Sequence, residues 1–117
     1  MAKAVTVTVE SNVKLAREEL ERALTQWAEE VGGDMVNLTH RDKTQGGTPV
    51  DTGRLRNSMA HSAARDHRTV YVGTNVEYAE PVEEGARGRS GAHMLRNAVM
   101  DEKDHATEFL KFVLENQ

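Results

Sequence analysis

The feature that most constrains the fold is a run of apolar residues at helical spacing in the first third of the chain. Apolar side chains recur every three or four positions with charged residues between them, at Val13, Ala16, Leu20, Ala23, Leu24, Trp27, Val31, Met35 and Leu38. This spacing predicts a helix with one face that must be buried against another layer. Gly32 and Gly33 interrupt the run, and each costs about 1 kcal/mol inside a helix. Because the apolar phase continues beyond them, we predict one long helix over 11–40, weakened or kinked at the glycines.

Three further stretches carry secondary-structure patterns. Residues 2–10 alternate valine with threonine, which predicts a half-buried strand. Residues 68–75 (RTVYVGTN) also predict a strand, and with the turn-forming ARDHR before them they favour a hairpin over 55–75, although the alternation in its first half is poor. Apolar residues return at helical spacing near the end of the chain, so a second helix is predicted over 92–114.

The remaining segments connect these elements. Residues 41–54 are polar and rich in turn-forming types, so they predict a loop and turn. Residues 76–91 predict a short helix followed by a mobile loop, GARGRSG. A chain of 117 residues suits a single domain, 1–117. The order of elements predicts an α+β fold in which a small antiparallel sheet packs against a long N-terminal helix and a C-terminal helix.

Composition limits the classes of protein that this chain can belong to. Two Phe, two Tyr and one Trp make a thin core, which hints at stability gained from neighbouring subunits. The absence of cysteine excludes disulfides and thiolate zinc sites. We see neither an apolar run long enough for a membrane span nor the pattern of a signal peptide. We therefore expect a soluble protein made in the cytoplasm, with no membrane partner.

Charge is distributed unevenly along the chain. The formal net charge of −4 argues against a general nucleic-acid binder. Between residues 53 and 96, however, the sequence contains seven arginines and only five acidic residues. One hypothesis is therefore a small nucleic-acid-binding module that uses the arginines from Arg54 to Arg96. The shortage of interleaved aromatic residues for base stacking counts against this hypothesis.

Candidate catalytic groups do not form a recognisable constellation. The five histidines at 40, 61, 67, 93 and 105 lack the spacing of a helical zinc site, and no serine has a base at a recognisable distance. A hydrolase that uses Asp51, His61 or Glu83 is the remaining enzymatic hypothesis. We expect no catalytic residue, no cofactor and no metal site, and therefore a protein that is not an enzyme.

The segment TPVDTGRLRNSM at 48–59 has the residues of a sharp turn. Pro49 fixes its own φ and pushes the preceding residue into an extended conformation. Asp51 and Thr52 can accept hydrogen bonds from backbone N–H groups that follow them. Gly53 permits a positive φ. We predict that these four residues turn the chain from the long helix into the next strand.

Two arginines follow this turn at once. Leu55 is the residue of this segment that we expect to point inward, and Arg54 and Arg56 are expected to project together to the other side. An ordinary connection between a helix and a strand accounts for the turn. It does not account for two arginines held so close to it.

Two sequence blocks together resemble a known family. The first is Pro-Val-Asp-Thr-Gly at 49–53 with Leu55 and Ser58, and the second is Val-Gly-Thr at 72–74, Tyr-Ala at 78–79 and then Glu83-x-Gly85. This pattern resembles the tail-component family of phage head–tail junction proteins, the tail-completion or neck proteins of long-tailed phages. The chain is also distantly similar to the minor tail protein Z of phage lambda.

The resemblance implies a structural virion protein of the neck or tail, made in the host cytoplasm. It implies a homo-oligomeric ring, a hexamer or larger, that completes the tail or joins it to the head connector. Expected partners are connector, stopper and tail-tube proteins, with tail termination as one such role. In such a ring Arg87 and Arg89 would face the DNA channel and contact phosphates without reading sequence. We also expect Glu83 to pair with Arg54 or Arg56, since the two blocks would bring them together.

Overall fold

Two long helices and a three-stranded sheet dominate the computed structural model, which describes residues 2–6, 16–49, 53–86 and 89–116. The elements in chain order are β1 (Ala2–Thr6), α1 (Arg17–Thr39), a 3-10 helix (Lys43–Gln45), α2 (Arg54–Asn57), β2 (Ala60–Ala63), β3 (Thr69–Gly73), α3 (Ala79–Glu84), β4 (Gly85–Ala86), β5 (Arg89–Ser90) and α4 (Met94–Glu115). The predicted α+β class, with a small antiparallel sheet and two long helices, is confirmed.

The sheet has the order β1-β3-β2, and both outer strands run antiparallel to the central one. Its inner face carries Val5, Val70 and Val72, all of which are buried. Val5 lies opposite Val70 in the register, so neighbouring strands turn the same apolar face towards the helices. Alternation along β3 then places Tyr71 on the other face of the sheet.

The helices α1 and α4 pack antiparallel to each other and form a layer on the inner face of the sheet. The chain just after the end of α1 contacts the first half of α4, as in the ion pair between Arg41 Nη2 and Asp101 Oδ2 at 2.9 Å. Trp27 of α1 is fully buried, and its indole N–H donates to the carbonyl oxygen of Ala106 in α4 at 2.8 Å. This bond lets the largest core side chain be buried without an unpaired donor.

Helix α1 runs unbroken through Gly32 and Gly33 and ends at Thr39, with His40 as its C-cap residue. One helix across the glycines is therefore what the structure shows. The first part of the predicted helix, 11–15, and the last part of the predicted strand, 7–10, lie outside the described residues. No helix in the described part of the chain is long and apolar enough to cross a bilayer.

The segment predicted as a hairpin over 55–75 begins differently. Its first residues form the helical turn α2, which opens at Gly53 with φ +79°. Leu55 points inward and is buried, as expected. The hairpin itself consists of β2 and β3, with Ala60 opposite Gly73 and Ala63 opposite Val70. A turn of four residues is too short to show helical periodicity, which is why the sequence pattern missed it.

The two predicted loops also contain local structure. The 3-10 helix lies within the predicted loop 41–54, and Asp42 caps it by accepting from the backbone N–H of Thr44 at 2.9 Å. This backbone bond, with a second from the Thr44 hydroxyl, lowers the pKa of Asp42. In the segment predicted to be mobile, β4 and β5 pair antiparallel, with Gly85 opposite Ser90.

The two adjacent glycines of α1 differ in what surrounds them, which gives a prediction. A methyl group at Gly32 would overlap the His61 imidazole of β2, whereas nothing lies within 4 Å of one at Gly33. We expect Gly33→Ala to raise the free energy of unfolding by about 0.5–1 kcal/mol, because alanine is the better helix former. Gly32→Ala should raise the free energy of unfolding by less, and the double variant Gly32→Ala/His61→Ala should recover the larger increase. Urea denaturation of the four proteins checks this, and equal gains at both glycines would contradict the packing of His61 on α1.

Candidate functional site

The two motif blocks meet at one end of the sheet through a chain of hydroxyl groups. The Ser58 hydroxyl donates to the carbonyl oxygen of Leu55 at 2.6 Å. Because that uses its single hydrogen, the Thr74 hydroxyl must be the donor in the contact between Ser58 Oγ and Thr74 Oγ1. Thr74 Oγ1 in turn accepts from the backbone N–H of Val76 at 3.1 Å. Each group orients the next, so the end of α2 is tied to the end of β3.

A second link between the blocks lies at the surface. The Arg54 guanidinium donates to both carboxylate oxygens of Glu77, at 3.2 and 3.1 Å, and lies 5.6 Å from the ring centroid of Tyr78. Hydrogen bonds from the backbone N–H of Glu77 itself and then from Arg54 lower the pKa of the Glu77 carboxyl. Both charged side chains are exposed, so the pair positions the two segments more than it stabilises the fold.

Helix α2 is also tied to the end of α1. His40 Nε2 lies 2.9 Å from the carbonyl oxygen of Arg56. A carbonyl can only accept, so the His40 ring must carry its proton on Nε2. The turn between the long helix and the sheet is thus closed by a side chain of the helix.

Glu83 is fully buried and caps α4 from a different element. Its Oε1 accepts from the backbone N–H of Leu95 at 2.7 Å, and its Oε2 accepts from that of Arg96 at 3.2 Å. The N-cap residue of α4 is His93, which has φ +53° and makes no side-chain capping bond. The Glu83 carboxylate therefore satisfies two N–H groups that a helix start leaves unpaired, and its negative charge suits the helix dipole.

Backbone bonds reinforce this cap. The N–H of Ala92 donates to the carbonyl oxygen of Val82 at 2.7 Å, and the N–H of His93 donates to that of Glu83 at 3.0 Å. A Cβ at Gly91 would overlap the Glu83 carbonyl group, so only glycine allows the chain to pass so closely. Gly85 has φ +91°, which turns the chain from α3 into β4. These residues clip the start of α4 onto α3.

The predicted site residues therefore have different partners from those expected. Glu83, which was expected to pair with Arg54 or Arg56, has both oxygens on the α4 backbone, and the described ion pair of Arg54 is with Glu77. Arg54 and Arg56 lie two positions apart on a helical turn, so they diverge rather than project together.

Some of the predicted site residues lie outside the described residues, and others pack against a helix or cap one. Asp51, Thr52 and Arg87 lie outside the described residues, and of Arg89 only the backbone in β5 is described. Pro49 lies in an irregular segment just before that gap. Of the proposed hydrolytic groups, His61 lies against Gly32 and Glu83 caps α4.

Sequence reasoning missed the capping role of Glu83 because the acid lies twelve residues before Leu95. Local capping motifs place the acid and the amides within three or four residues of each other. The available signal was indirect: His93, directly before the apolar run of α4, is not one of the preferred capping types.

The cap gives a direct prediction. Glu83→Gln should lower the free energy of unfolding by about 2 kcal/mol, because an amide keeps the shape but leaves one buried N–H facing another donor. Glu84→Gln is the matched control, since Glu84 is exposed and its Lys3 contact is a surface pair at 3.8 Å. That change should cost about 0.5 kcal/mol or less. Guanidinium denaturation measures both, and similar losses for the two variants would refute the capping role.

The chain of hydroxyl groups between the two sequence blocks gives a second prediction about stability. Ser58→Ala and Thr74→Val should each lower the free energy of unfolding by about 1 kcal/mol, and Thr74→Val should cost more because Val76 N–H loses its acceptor. A double-mutant cycle should show coupling of about 0.5–1.5 kcal/mol between the two positions. Strictly additive losses would mean that the hydroxyl groups do not act as a connected chain.

A comparison with protein-family models identifies the chain. Residues 3–85, more than half of it, match the HK97-gp10-like family, described as "Bacteriophage HK97-gp10, putative tail-component". No curated protein and no solved structure matches. The similarity to the lambda minor tail protein Z stays a prediction. The match spans both sequence blocks, at 49–58 and 72–85, and confirms the phage tail-component resemblance. The chain therefore belongs to the HK97-gp10-like family of bacteriophage tail components.

Proposed function

We propose that this protein is a structural, non-enzymatic component of the phage virion that forms a closed ring of identical copies, a hexamer or larger, at the head–tail junction. The ring would complete the tail or join it to the head connector, in contact with stopper or tail-tube proteins. Membership of a tail-component family supports the virion role. The observation that carries the ring is that, within the described residues, the helices cover only one face of the sheet.

The other face of the sheet has the form of an interface. Tyr71 stands at its centre and is 40% exposed. The residues directly opposite Tyr71 on the neighbouring strands are Ala4 and Ser62, both with small side chains. An aromatic residue that rises from a flat surface of small side chains is a typical anchor for a protein partner. A second copy of the chain is the partner that a small core most needs.

The edges of the sheet explain why the assembly would be a ring. The two outer strands, β1 and β2, are different segments, and in the described chain neither pairs beyond β3. If a neighbouring copy packs on the outer face with its β2 beside β1 of the first copy, the contact joins unlike surfaces, so every copy keeps one free edge until rotation closes the ring. Closure also removes the exposed edges that make such a sheet prone to aggregation.

Contact with DNA belongs to the same proposal. Arg89 begins β5, and Arg87 stands between β4 and β5 in the sequence; the short β4–β5 pair would face the channel of the ring. Such a loop contacts phosphates without reading sequence. The net charge of −4 favours a role in which DNA passes through the ring over one in which the isolated protein binds DNA as its ligand.

The ring is tested with two lysine substitutions at exposed aromatic residues. Tyr71→Lys should reduce the ring fraction at least tenfold, since it places a charge at the centre of the interface. Phe112→Lys is the matched control: Phe112 is 54% exposed, on α4 rather than on the sheet. Native mass spectrometry or mass photometry counts the copies, and thermal unfolding verifies that both variants fold. Equal ring fractions in the two variants would contradict the interface.

The location is tested on intact particles. Cryo-electron microscopy should show a ring of this protein on the particle axis where head and tail meet. Particles that carry density for the protein elsewhere, or none at all, would contradict the proposed location even if the isolated protein forms rings.

A further inference from the structure

Four ionisable side chains converge between α1 and α4, away from the motif blocks. Glu30 and Asp34 lie one turn apart on α1, and Glu102 and His105 lie three positions apart on α4. His105 Nε2 is 3.0 Å from Asp34 Oδ2, 3.8 Å from Glu30 Oε1 and 3.9 Å from Glu102 Oε1. One ligand-capable atom each from Glu30, Asp34 and His105 lies within 4.8 Å of the other two. The antiparallel packing of the helices brings the two pairs together.

Glu102 differs from the other residues of this cluster because its carboxyl group is buried rather than at the surface. It is 3% exposed, and its Oε1 has no hydrogen-bond partner among the described residues. Burying a carboxylate without a full set of partners is costly. Burial first, then the charge of Asp34 and a hydrogen bond with it, and then the charge of Glu30 raise the pKa of Glu102 to about 8. The fold thus places a buried acid, with one oxygen unpaired, beside two other acids and an imidazole.

We propose that Glu30, Asp34, Glu102 and His105 bind one divalent transition-metal cation of the Zn²⁺ class. Zinc bonds to nitrogen and oxygen ligands are about 2.0–2.2 Å long, so ligand atoms around a tetrahedral ion lie about 3.4 Å apart. Glu30, Asp34 and His105 already lie close to one another, and Glu102 Oε1, 3.9 Å from His105 Nε2, would move towards the ion as the fourth ligand. The imidazole ligand favours zinc and its neighbours over Mg²⁺ or Ca²⁺, which prefer oxygen alone.

The charges and the ligand count assign a structural role to the ion. Three ionised carboxylates and a neutral imidazole around a divalent cation leave one net negative charge, so Glu102 would release its proton when the ion binds. Four protein ligands complete a tetrahedral shell, which is typical of structural rather than catalytic zinc. The ion would link α1 to α4 and bind only when the two helices are packed together, so it would stabilise the folded chain. This inference does not depend on ring assembly.

No metal site is expected from the sequence alone. Each of the two residue pairs is by itself a weak signal for metal binding. The Glu30/Asp34 and Glu102/His105 spacings each place two ligands on one helix face. Neither pair is distinctive until the helix packing joins it to the other.

The test uses the full chain after removal of metal with EDTA. Calorimetric titration with Zn²⁺ should show one ion per chain, and a hundredfold excess over the Kd should raise the Tm by on the order of 10 °C. His105→Gln and Asp34→Asn should each weaken binding at least tenfold. The control is Glu29→Gln: Glu29 is exposed on α1 and points about 100° away from Glu30. It removes the same charge and should bind Zn²⁺ like the unmodified protein.

Glu102→Gln separates a metal site from an acid that merely carries a proton. In EDTA this variant should have a higher Tm than the unmodified protein, because a neutral amide replaces the buried acid, and Zn²⁺ should no longer raise it. If Zn²⁺ fails to raise the Tm of the unmodified protein, the cluster is a proton-sharing group and the proposal is overturned. It is equally overturned if Glu102→Gln and His105→Gln both bind Zn²⁺ normally. An equal response to Mg²⁺ would refute the transition-metal assignment.

Discussion

The rest of the structure depends on the two hydrogen bonds that backbone N–H groups in the first turn of α4 donate to the Glu83 carboxylate. Helix α4 forms half of the layer that covers the sheet, and its own N-cap residue makes no side-chain capping bond. Glu83 fixes where the helix begins, and the indole of Trp27 holds it further along by donating to Ala106. With α4 held at two points, both long helices can present continuous apolar faces to the inner side of the sheet.

The two blocks of the family pattern form a joint between α2 and the chain that follows β3. Ser58 and Thr74 connect the two blocks beneath the surface, and Arg54 and Glu77 connect them at the surface. With the bond between His40 and the carbonyl oxygen of Arg56, these contacts tie α1, α2 and the end of β3 to one another.

Patterns that repeat along one element were readable from the sequence, and contacts between elements were not. The apolar periodicity of α1 and α4 and the alternation of β3 predicted these elements because each has one face to bury. Four-residue α2 has no period to detect. The role of Glu83 and the meeting of Glu30 with Glu102 depend on how helices pack, and one sequence does not encode this in any local spacing.

Hydrogen exchange at the backbone amides of Leu95 and Arg96 tests the central claim most directly. Amides in the first turn of a helix usually have no partner in the helix and exchange rapidly. If the Glu83 carboxylate holds them, they should be as protected as the amide of Ala98 in the helix interior and exchange only when the whole domain unfolds. Rapid exchange at Leu95 and Arg96, with Ala98 still protected, would contradict the account.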